Sequence, residues 1–418
     1  MEVSMNRRQF LGAAGMTALG IPFWAGLLPE TLWGKLPSGI KITSLKTFVV
    51  HLGTVNWVFV KIYTNEGVAG LGEGSVTSKE ATVAAAIQEQ ERMIVGKDPT
   101  KIEMLWQAMY RWPRWRGGPV LNSAISAVEI ALWDILGKLL DAPLYRLLGG
   151  ASRDRIRLYV HGGGSTPETA AQAIHKAKEQ GYNALKTGPL VADEETIRRP
   201  WDLKRAVAVL EAMRRAAGDQ FDILIDAHGL LNPVMAMEYA NAVAPYRPMF
   251  LEEPIQPEDL DMLQWLGNHT NVPLATGERL FTKFGFKDLI SRHLVSYVQP
   301  DVVHAGGISE CKKIAAMAEA NFIDVALHNP QSLVSTLASL HIDACTPNCV
   351  IQETTGRRPD WVLDLFNGGD ISIQHGYAEL PDKPGLGGDL NERVAAAHPY
   401  QPVNRPAMRF EDGSVMDH

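Results

Sequence analysis

The second half of the chain repeats one short unit eight times, and this repeat constrains the fold more than any other feature. Each unit is a run of apolar residues that ends at a polar residue and is followed by a stretch with helical periodicity. The runs are Ile156–Val160, Tyr182–Leu185, Phe221–Ile225, Met249–Leu251, Pro273–Ala275, Tyr297–Gln299, Ile323–Leu327 and Cys349–Ile351. Eight consecutive strand-helix units predict an α/β fold, a (β/α)₈ barrel of the TIM type.

A polar or ionisable residue follows every run. These residues are His161, Lys186, Asp226, Glu252, Glu278, Asp301, His328 and Glu353, at steps of 25, 40, 26, 26, 23, 27 and 25 residues. Because the active sites of such barrels lie at the C-terminal ends of the strands, this pattern predicts a catalytic site there. The one long step predicts an insertion over the barrel mouth, which contains Asp193–Trp201.

A different pattern precedes the barrel. Between Lys41 and Gly74 apolar residues alternate around the turn Asn65-Glu66-Gly67, which predicts a small antiparallel sheet. From Lys79 to Leu148 the period is helical. We therefore predict an α+β N-terminal domain over residues 40–153, a barrel over residues 154–365, and a C-terminal segment, residues 366–418, that returns to the N-terminal domain.

Residues 1–35 form a separate segment. Asn6-Arg7-Arg8-Gln9-Phe10-Leu11 precedes an apolar, Gly- and Ala-rich run and resembles a twin-arginine export signal. We therefore predict a periplasmic protein, or a cytoplasmic one if the signal does not function. The alternatives are a frayed basic N-terminus and a mitochondrial-type presequence, and Phe23-Trp24-Ala25 is a poor cleavage site. We expect no other contact with a membrane, because we find no further stretch of about 20 apolar residues.

Composition excludes some classes of protein. The net charge is −7 and no long basic run occurs, so nucleic-acid binding is not expected. Hydrophobic residues make up 46% of the chain and charged residues 21%, which predicts an ordered core. Cys311, Cys345 and Cys349 form no C-x-x-C pair and are predicted to be buried free thiols.

Three carboxylates, Asp226, Glu252 and Glu278, end three successive predicted strands. Carboxylates that converge in this way repel one another unless a cation lies among them. Hard oxygen ligands without cysteine favour Mg²⁺, or Mn²⁺, over zinc. The alternative is that each carboxylate pairs with a basic residue, for which Lys186 and Arg279 are available.

Two histidines are predicted at the same barrel mouth. His228 lies two residues beyond Asp226, so in an extended chain both side chains would face the site. His328 follows the seventh run and Asp301 the sixth, and an aspartate beside a histidine fixes its tautomer and raises its basicity. The alternative is that both histidines are structural.

Glu353 and Lys186 follow the eighth and second runs. A protonated Glu353 can hydrogen-bond a developing enolate oxygen, and Lys186 can neutralise carboxylate charge. The alternative is a structural ion pair. Together, these residues suit the abstraction of a proton α to a carboxylate.

Several motifs resemble those of the enolase superfamily, in its mandelate racemase-like branch, and most closely those of its galactonate and mannonate (sugar-acid) dehydratases. The resemblance extends from about Ile42 to the C-terminus. Its motifs are Arg116-Gly117-Gly118-Pro119, Asp226-Ala227-His228, Phe250-Leu251-Glu252-Glu253-Pro254, Ala275-Thr276-Gly277-Glu278-Arg279, Gln299-Pro300-Asp301, His304-Ala305-Gly306-Gly307-Ile308 and Pro384-Gly385-Leu386-Gly387.

The resemblance implies a role for each site residue. It implies that Asp226, Glu252 and Glu278 bind Mg²⁺, that His328, held by Asp301, takes the C2 proton, that His228 protonates the departing 3-hydroxyl, and that Glu353 hydrogen-bonds the enolate. The N-terminal domain would cap the barrel and select the substrate through loops near His51–Trp57 and Gly74–Ser78. We expect a small sugar-acid substrate, a 2-keto-3-deoxy acid product and a homo-oligomer.

Two features depart from this pattern. Racemases of the branch carry Lys-x-Lys on the second strand, whereas this chain has Lys186-Thr187-Gly188. An export signal is unexpected for a dehydratase that feeds cytoplasmic catabolism. The alternatives are an acid-sugar epimerase, racemase or cycloisomerase of the same superfamily, and a non-catalytic periplasmic sugar-acid binding protein.

Overall fold

An antiparallel sheet begins the part of the chain that the computed structural model describes, which comprises residues 36–188, 197, 200–356, 360–368, 370–403, 407–410 and 412–416. Strands β1 (Ile42–His51), β2 (Asn56–Thr64) and β3 (Ala69–Glu73) pair in that order. The central strand β2 is almost entirely buried, which explains why its apolar residues Trp57–Val60 are consecutive and do not alternate as predicted. The predicted signal, residues 1–35, lies outside the described residues.

Four helices complete the N-terminal domain: α1 (Glu80–Ile94), α2 (Ile102–Arg111), α3 (Gly118–Leu139) and α4 (Leu144–Leu147). Helix α3 packs against β3. It is long and apolar enough to cross a membrane, although 78% of its most apolar window is buried, as in the core helix of a folded domain. The expectation that the chain has no further apolar stretch of about 20 residues was therefore wrong for this helix.

Eight parallel strands follow, each near a predicted apolar run. They are β4 (Arg155–His161), β5 (Ala184–Thr187), β6 (Asp222–Asp226), β7 (Leu251–Glu252), β8 (Leu274–Thr276), β9 (Tyr297–Val298), β10 (Asp324–Val325) and β11 (Gln352–Thr354). The helices between them are α5 (Pro167–Glu179), α6 (Pro200–Ala217), α7 (Pro233–Val243), a 3₁₀ turn (Ala244–Tyr246), α8 (Leu260–Gly267), α9 (Thr282–Ser291), α10 (Ile308–Glu319) and α11 (Leu333–Ala344).

The strands close into a ring, which confirms the predicted barrel. Strands β4 to β10 pair in chain order, and β11 pairs with β4. A parallel bridge between Val325 and Cys349 joins the remaining edges, because the backbone N–H of Val325 donates to Asn348. Apolar side chains fill the interior: Tyr159, Ala184, Leu224, Phe250, Ala275, Ala326 and Ile351.

Two details of the barrel differ from the prediction or lie beyond it. The eighth strand is Gln352–Thr354, which pairs with β4, and not Cys349–Ile351, of which Cys349 forms the closing bridge. Most of the predicted insertion at Asp193–Trp201 lies outside the described residues, and its end forms the start of α6. All three cysteines are buried and free, as predicted.

The C-terminal segment contacts both the barrel and the N-terminal sheet. Helix α12 (Asp360–Leu363) lies at the end of the predicted barrel range, and the elements of the C-terminal segment are β12 (Phe366–Asn367), β13 (Ile373–Gln374), β14 (Tyr377–Glu379), β15 (Asp389–Leu390) and α13 (Glu392–Ala397). Strand β14 pairs antiparallel with β4. Lys61 of β2 pairs with Asp389 at 3.0 Å, and Lys46 of β1 pairs with Glu392 at 2.9 Å.

Candidate active site

Three carboxylates form a row across neighbouring strands at the barrel mouth. Asp226 ends β6, Glu252 ends β7, and Glu278 stands two residues beyond β8. One oxygen from each lies within 4.8 Å of the others. Gly277, with φ of +146°, permits the tight turn before Glu278, because a Cβ there would lie 2.8 Å from the ring of Phe286.

Lys186 lies among these carboxylates, in a buried position on β5. Its Nζ is 3.0 Å from both Asp226 Oδ2 and Glu252 Oε1, and 2.8 Å from Glu353 Oε1. The alternative of pairing with basic residues therefore holds in part. Arg279 pairs with Glu253 at 2.7 Å and not with Glu278.

The donor set of this row suits a divalent cation. Among the described residues, the buried oxygens Glu252 Oε2 and Glu278 Oε2 have no hydrogen-bond partner. Burial, and next the charge of Asp226, raises the pKa of Glu252 well above its usual range. The single positive charge of Lys186 cannot neutralise the three carboxylates and Glu353. The oxygens without a partner are hard metal ligands, which favour Mg²⁺ or Mn²⁺.

His328 and Asp301 form a buried pair at one end of the row. The two residues form a parallel bridge, and Nδ1–H of His328 donates to Asp301 Oδ2 at 2.8 Å. Burial alone would raise the pKa of Asp301, but His304 and His328 hold it below its usual value. With Nδ1 protonated, Nε2 of His328 is the basic nitrogen, and it lies 3.4 Å from Glu278 Oε2.

His228 lies at the other end of the row, although the predicted reason was wrong. The chain at His228 is not extended: its φ of +49° is left-handed, which costs a non-glycine residue about 1–2 kcal/mol. The turn brings Nε2 to 3.2 Å from Asp226 Oδ2 and leaves the side chain 49% exposed. The two histidines therefore flank the carboxylate row from opposite ends.

Glu353 is held as a carboxylate by its neighbours. Its Oε1 contacts Lys186 and Nε2 of His161, and its Oε2 accepts the backbone N–H of Asn329 at 2.6 Å. Burial alone would raise the pKa of Glu353, but Lys186, His328 and His161 together hold it well below its usual range. This arrangement disfavours the protonated Glu353 that the sequence analysis invoked as a donor.

Two further histidines, for which no role was predicted, lie at the site. His161 was found at a strand end but was given no role, and it contacts Glu353. His304 stands three residues after Asp301. Its Nδ1 lies 2.8 Å from Ser123 Oγ, and its Nε2 lies 3.7 Å from Asp301 Oδ2. His304 begins the motif His304-Ala305-Gly306-Gly307-Ile308, and this was the feature of the sequence that could have predicted its place at the site.

The loops predicted to select the substrate make hydrogen bonds within the N-terminal domain and to the C-terminal segment. Nδ1 of His51 lies 3.0 Å from Asn56 Oδ1, and Asn56 Nδ2 donates to the carbonyl of Gln401. In the second loop, Ser75 Oγ donates to Glu73 at 2.6 Å. Selection of the substrate by these loops stays a prediction.

Comparison with known proteins supports the same fold. Residues 38–149 match the family described as mandelate racemase/muconate lactonizing enzyme, N-terminal domain, and residues 168–394 match the family described as enolase C-terminal domain-like. A D-galactonate dehydratase of Ralstonia pickettii (strain 12J) is 37% identical over 387 residues, which are 90% of this chain and 100% of that protein. A D-galactonate dehydratase of Pectobacterium atrosepticum is 36% identical over the same shares of the two chains.

A solved structure of an enolase from Pantoea ananatis, with bound D-gluconate and magnesium, is also similar to this chain. It superposes with a TM-score of 0.83 at 33% identity, and the match covers 90% of this chain and 99% of that one.

Proposed function

We propose, since this chain belongs to the enolase superfamily, that it is a magnesium-dependent hydro-lyase that dehydrates a sugar acid, a galactonate-like aldonate. The observation that carries the proposal is the row of three carboxylates flanked at opposite ends by His328 and His228. The dehydratase names of two relatives and the gluconate and magnesium bound in a structural neighbour support it.

The proposed metal ligands are Asp226, Glu252 and Glu278. A bound Mg²⁺, or Mn²⁺, supplies positive charge that stabilises the substrate carboxylate as negative charge develops on it. Lys186 adds a fixed positive charge beside the same oxygens. Burial alone would lower the pKa of Lys186, but Asp226, Glu252 and Glu353 raise it well above its usual value, so this lysine stays protonated.

His328 is the proposed base for the C2 proton. Its hydrogen bond from Nδ1–H to Asp301 directs the basic Nε2 toward the carboxylate row, where the substrate carboxylate would lie. Such a positioned general base contributes about 10²- to 10⁴-fold to the rate. In this role Asp301 is a positioning residue that fixes the tautomer.

His228 is the proposed acid for the leaving group. It gives its proton to the 3-hydroxyl, which departs as water when the C2 carbanion forms the C2–C3 double bond. The resulting enol tautomerises to the 2-keto-3-deoxy acid, so the net reaction is the loss of one water. Glu353 holds Lys186 and His161 at the same mouth, and we assign it to charge placement rather than to proton donation.

A second candidate is epimerisation, or cycloisomerisation, of an acid sugar. Two histidines at opposite ends of the row could exchange a C2 proton between faces, which is the observation that favours it. Gly188 stands where Lys-x-Lys has its second lysine, which is evidence against a lysine-based racemase.

The test is to incubate the Mg²⁺-loaded protein with hexonates and pentonates and to detect 2-keto-3-deoxy acids. Turnover of at least one aldonate supports the proposal. C2 inversion with the 3-hydroxyl retained would establish the epimerase instead. Saturable binding of an aldonate without any turnover would indicate the sugar-acid binding protein.

A further inference from the structure

Glu73, at the end of β3, is fully buried and accepts four hydrogen bonds. Two come from Ser332, through Oγ at 2.5 Å and the backbone N–H at 3.3 Å, and one from the N–H of Ser335 at 3.1 Å. The fourth comes from Ser75 Oγ. The carboxylate of the N-terminal domain therefore caps the first turn of α11, the helix that begins five residues after His328.

A buried chain of hydrogen bonds continues from this cap to the active site. The carbonyl of Ser332 accepts from Thr336 Oγ1 at 2.9 Å, and Thr336 Oγ1 accepts from Asn329 Nδ2 at 3.0 Å. The backbone N–H of Asn329, the residue after His328, donates to Glu353. Hydrogen bonds thus connect Glu73 to the residue after His328 and to Glu353.

Helix α3 attaches to the segment after Asp301 in the same way. Ser123, Ser126 and Glu129 lie on one face of α3, at intervals of three residues. Ser123 Oγ bonds His304, Ser126 Oγ accepts the N–H of Gly306 at 2.9 Å, and Glu129 accepts the N–H of Ile308 at 2.7 Å.

Glu129 is fully buried, and it caps α10 as Glu73 caps α11. It also accepts the N–H of Ser309 at 2.9 Å. The backbone packs so closely that a Cβ on Gly307 would lie 2.1 Å from Glu129 Oε2, and φ at Gly307 is +89°. Only glycine permits this contact, so the chain is built around the carboxylate.

We propose that the N-terminal domain positions the His328–Asp301 pair through these two attachments, with Glu73 and Glu129 as positioning residues. Each attachment holds the segment directly after one member of the pair, and each is made by a buried carboxylate that accepts only from N–H and O–H donors. The role in catalysis rests on the proposed function, in which His328 is the base; the role in geometry does not.

The test compares Glu73→Gln with Asp134→Asn. Asp134 is the control, because it is fully buried in the same domain, accepts the N–H groups of Leu71 and Leu386, both at 2.9 Å, and pairs with Lys138 at 2.6 Å, away from the His328–Asp301 pair. In Glu73→Gln an amide NH₂ must face the hydroxyl and N–H donors. We expect kcat to fall about 10- to 100-fold with KM changed less than about twofold, since misplacement of a catalytic group by about 1 Å costs about 100-fold.

A spectroscopic readout separates this proposal from the proposed function. In protein labelled with ¹⁵N-histidine, the Nδ1–H proton of His328 that is hydrogen-bonded to Asp301 gives its own resonance. We expect Glu73→Gln to shift or broaden this resonance and Asp134→Asn to leave it in place, whether or not a substrate is turned over.

Two results would overturn the positioning role. One is an unchanged His328 resonance in folded Glu73→Gln; the other is an equal fall in kcat in both variants at equal folded fraction. If Glu73→Gln does not fold, Ser126→Ala decides, because it removes the bond from the N–H of Gly306 and otherwise only a bond within α3, from Ser126 Oγ to the carbonyl of Asn122. A His328 resonance identical to wild type in Ser126→Ala would then contradict the proposal.

Discussion

Lys186 shows how a single residue sets the charge of the site. It contacts Asp226, Glu252 and Glu353 while only 3% of its side chain is exposed. Its one positive charge cannot balance these carboxylates and Glu278. Because desolvated carboxylates repel strongly, the excess negative charge must be met by bound cations or by protons. The affinity of the row for Mg²⁺ is therefore sensitive to each carboxylate.

Glu252→Gln should weaken Mg²⁺ binding by at least about 100-fold, because loss of even an outer partner of a ligand costs about 10- to 100-fold. Isothermal titration calorimetry with Mg²⁺ or Mn²⁺ measures this. Glu310→Gln is the control, since Glu310 is also fully buried but pairs with Lys283 at 3.0 Å and Lys313 at 2.9 Å, outside the row. Equal affinities of the two variants would show that Glu252 is not a ligand.

At the scale of the elements, the positions of the strands could be predicted from the sequence, whereas the loop conformations and long-range hydrogen bonds around them could not. Parallel barrel strands are buried on both faces, so each left an apolar run whose end located Asp226, Glu252 and His328. No such sequence pattern predicts the left-handed turn at His228, because contacts between neighbouring loops determine its conformation. The bond from Glu73 to Ser332 joins residues 259 positions apart, and no local periodicity reports a contact of that kind.

Helix α11 carries a buried histidine, His341, which should make stability depend on pH. The backbone N–H of Tyr145 donates to His341 Nδ1, and Nε2 lies 3.3 Å from the carbonyl of Leu386. Burial lowers the pKa of His341 from 6.5 to about 4. Between these pH values the unfolded chain binds a proton that the folded protein does not, so stability falls as pH decreases from 6.5 to 4, by about 3 kcal/mol in total.

His341→Gln should remove this dependence. Urea unfolding at pH 7 and at pH 4 gives the change in unfolding free energy, and we expect this change to differ between wild type and His341→Gln by about 3 kcal/mol. His175→Gln, at an exposed position on α5, is the control and should match wild type. A variant at His341 with the pH dependence of wild type would contradict the assignment.

At the scale of the whole molecule, the barrel supplies the proposed base and acid, and the N-terminal domain holds the segments that follow His328 and its positioning residue Asp301. The C-terminal segment binds both parts, through β14 to β4 and through Asp389 and Glu392 to the first sheet. A chain assembled in this way should work only when folded in full. Twin-arginine export, which carries folded proteins, is compatible with that requirement.

Export is therefore predicted to depend on Arg7 and Arg8. The double variant Arg7→Lys, Arg8→Lys should accumulate in the cytoplasm with normal activity in lysates, because residues 1–35 precede both domains. Immunoblots of periplasmic and cytoplasmic fractions measure this, with Arg92→Lys, at an exposed position on α1, as the control. Recovery of the double variant from the periplasm at the level of the control would contradict twin-arginine export.

The assignment of His328 as the base and His228 as the acid is tested most directly by deuterium exchange at C2. The substrate that gives a 2-keto-3-deoxy acid is incubated in D₂O with Mg²⁺ and wild type, His328→Asn or His228→Asn, and C2 exchange and product are followed by ¹H NMR. Each histidine is expected to contribute about 10²- to 10⁴-fold to turnover.

We expect His328→Asn to lose both exchange and product, because it lacks the group that takes the C2 proton. His228→Asn should still exchange C2 while it fails to expel the 3-hydroxyl, and Asp301→Asn should behave as a weaker form of His328→Asn. Loss of exchange in His228→Asn together with its retention in His328→Asn would contradict the assignment and reverse the two roles.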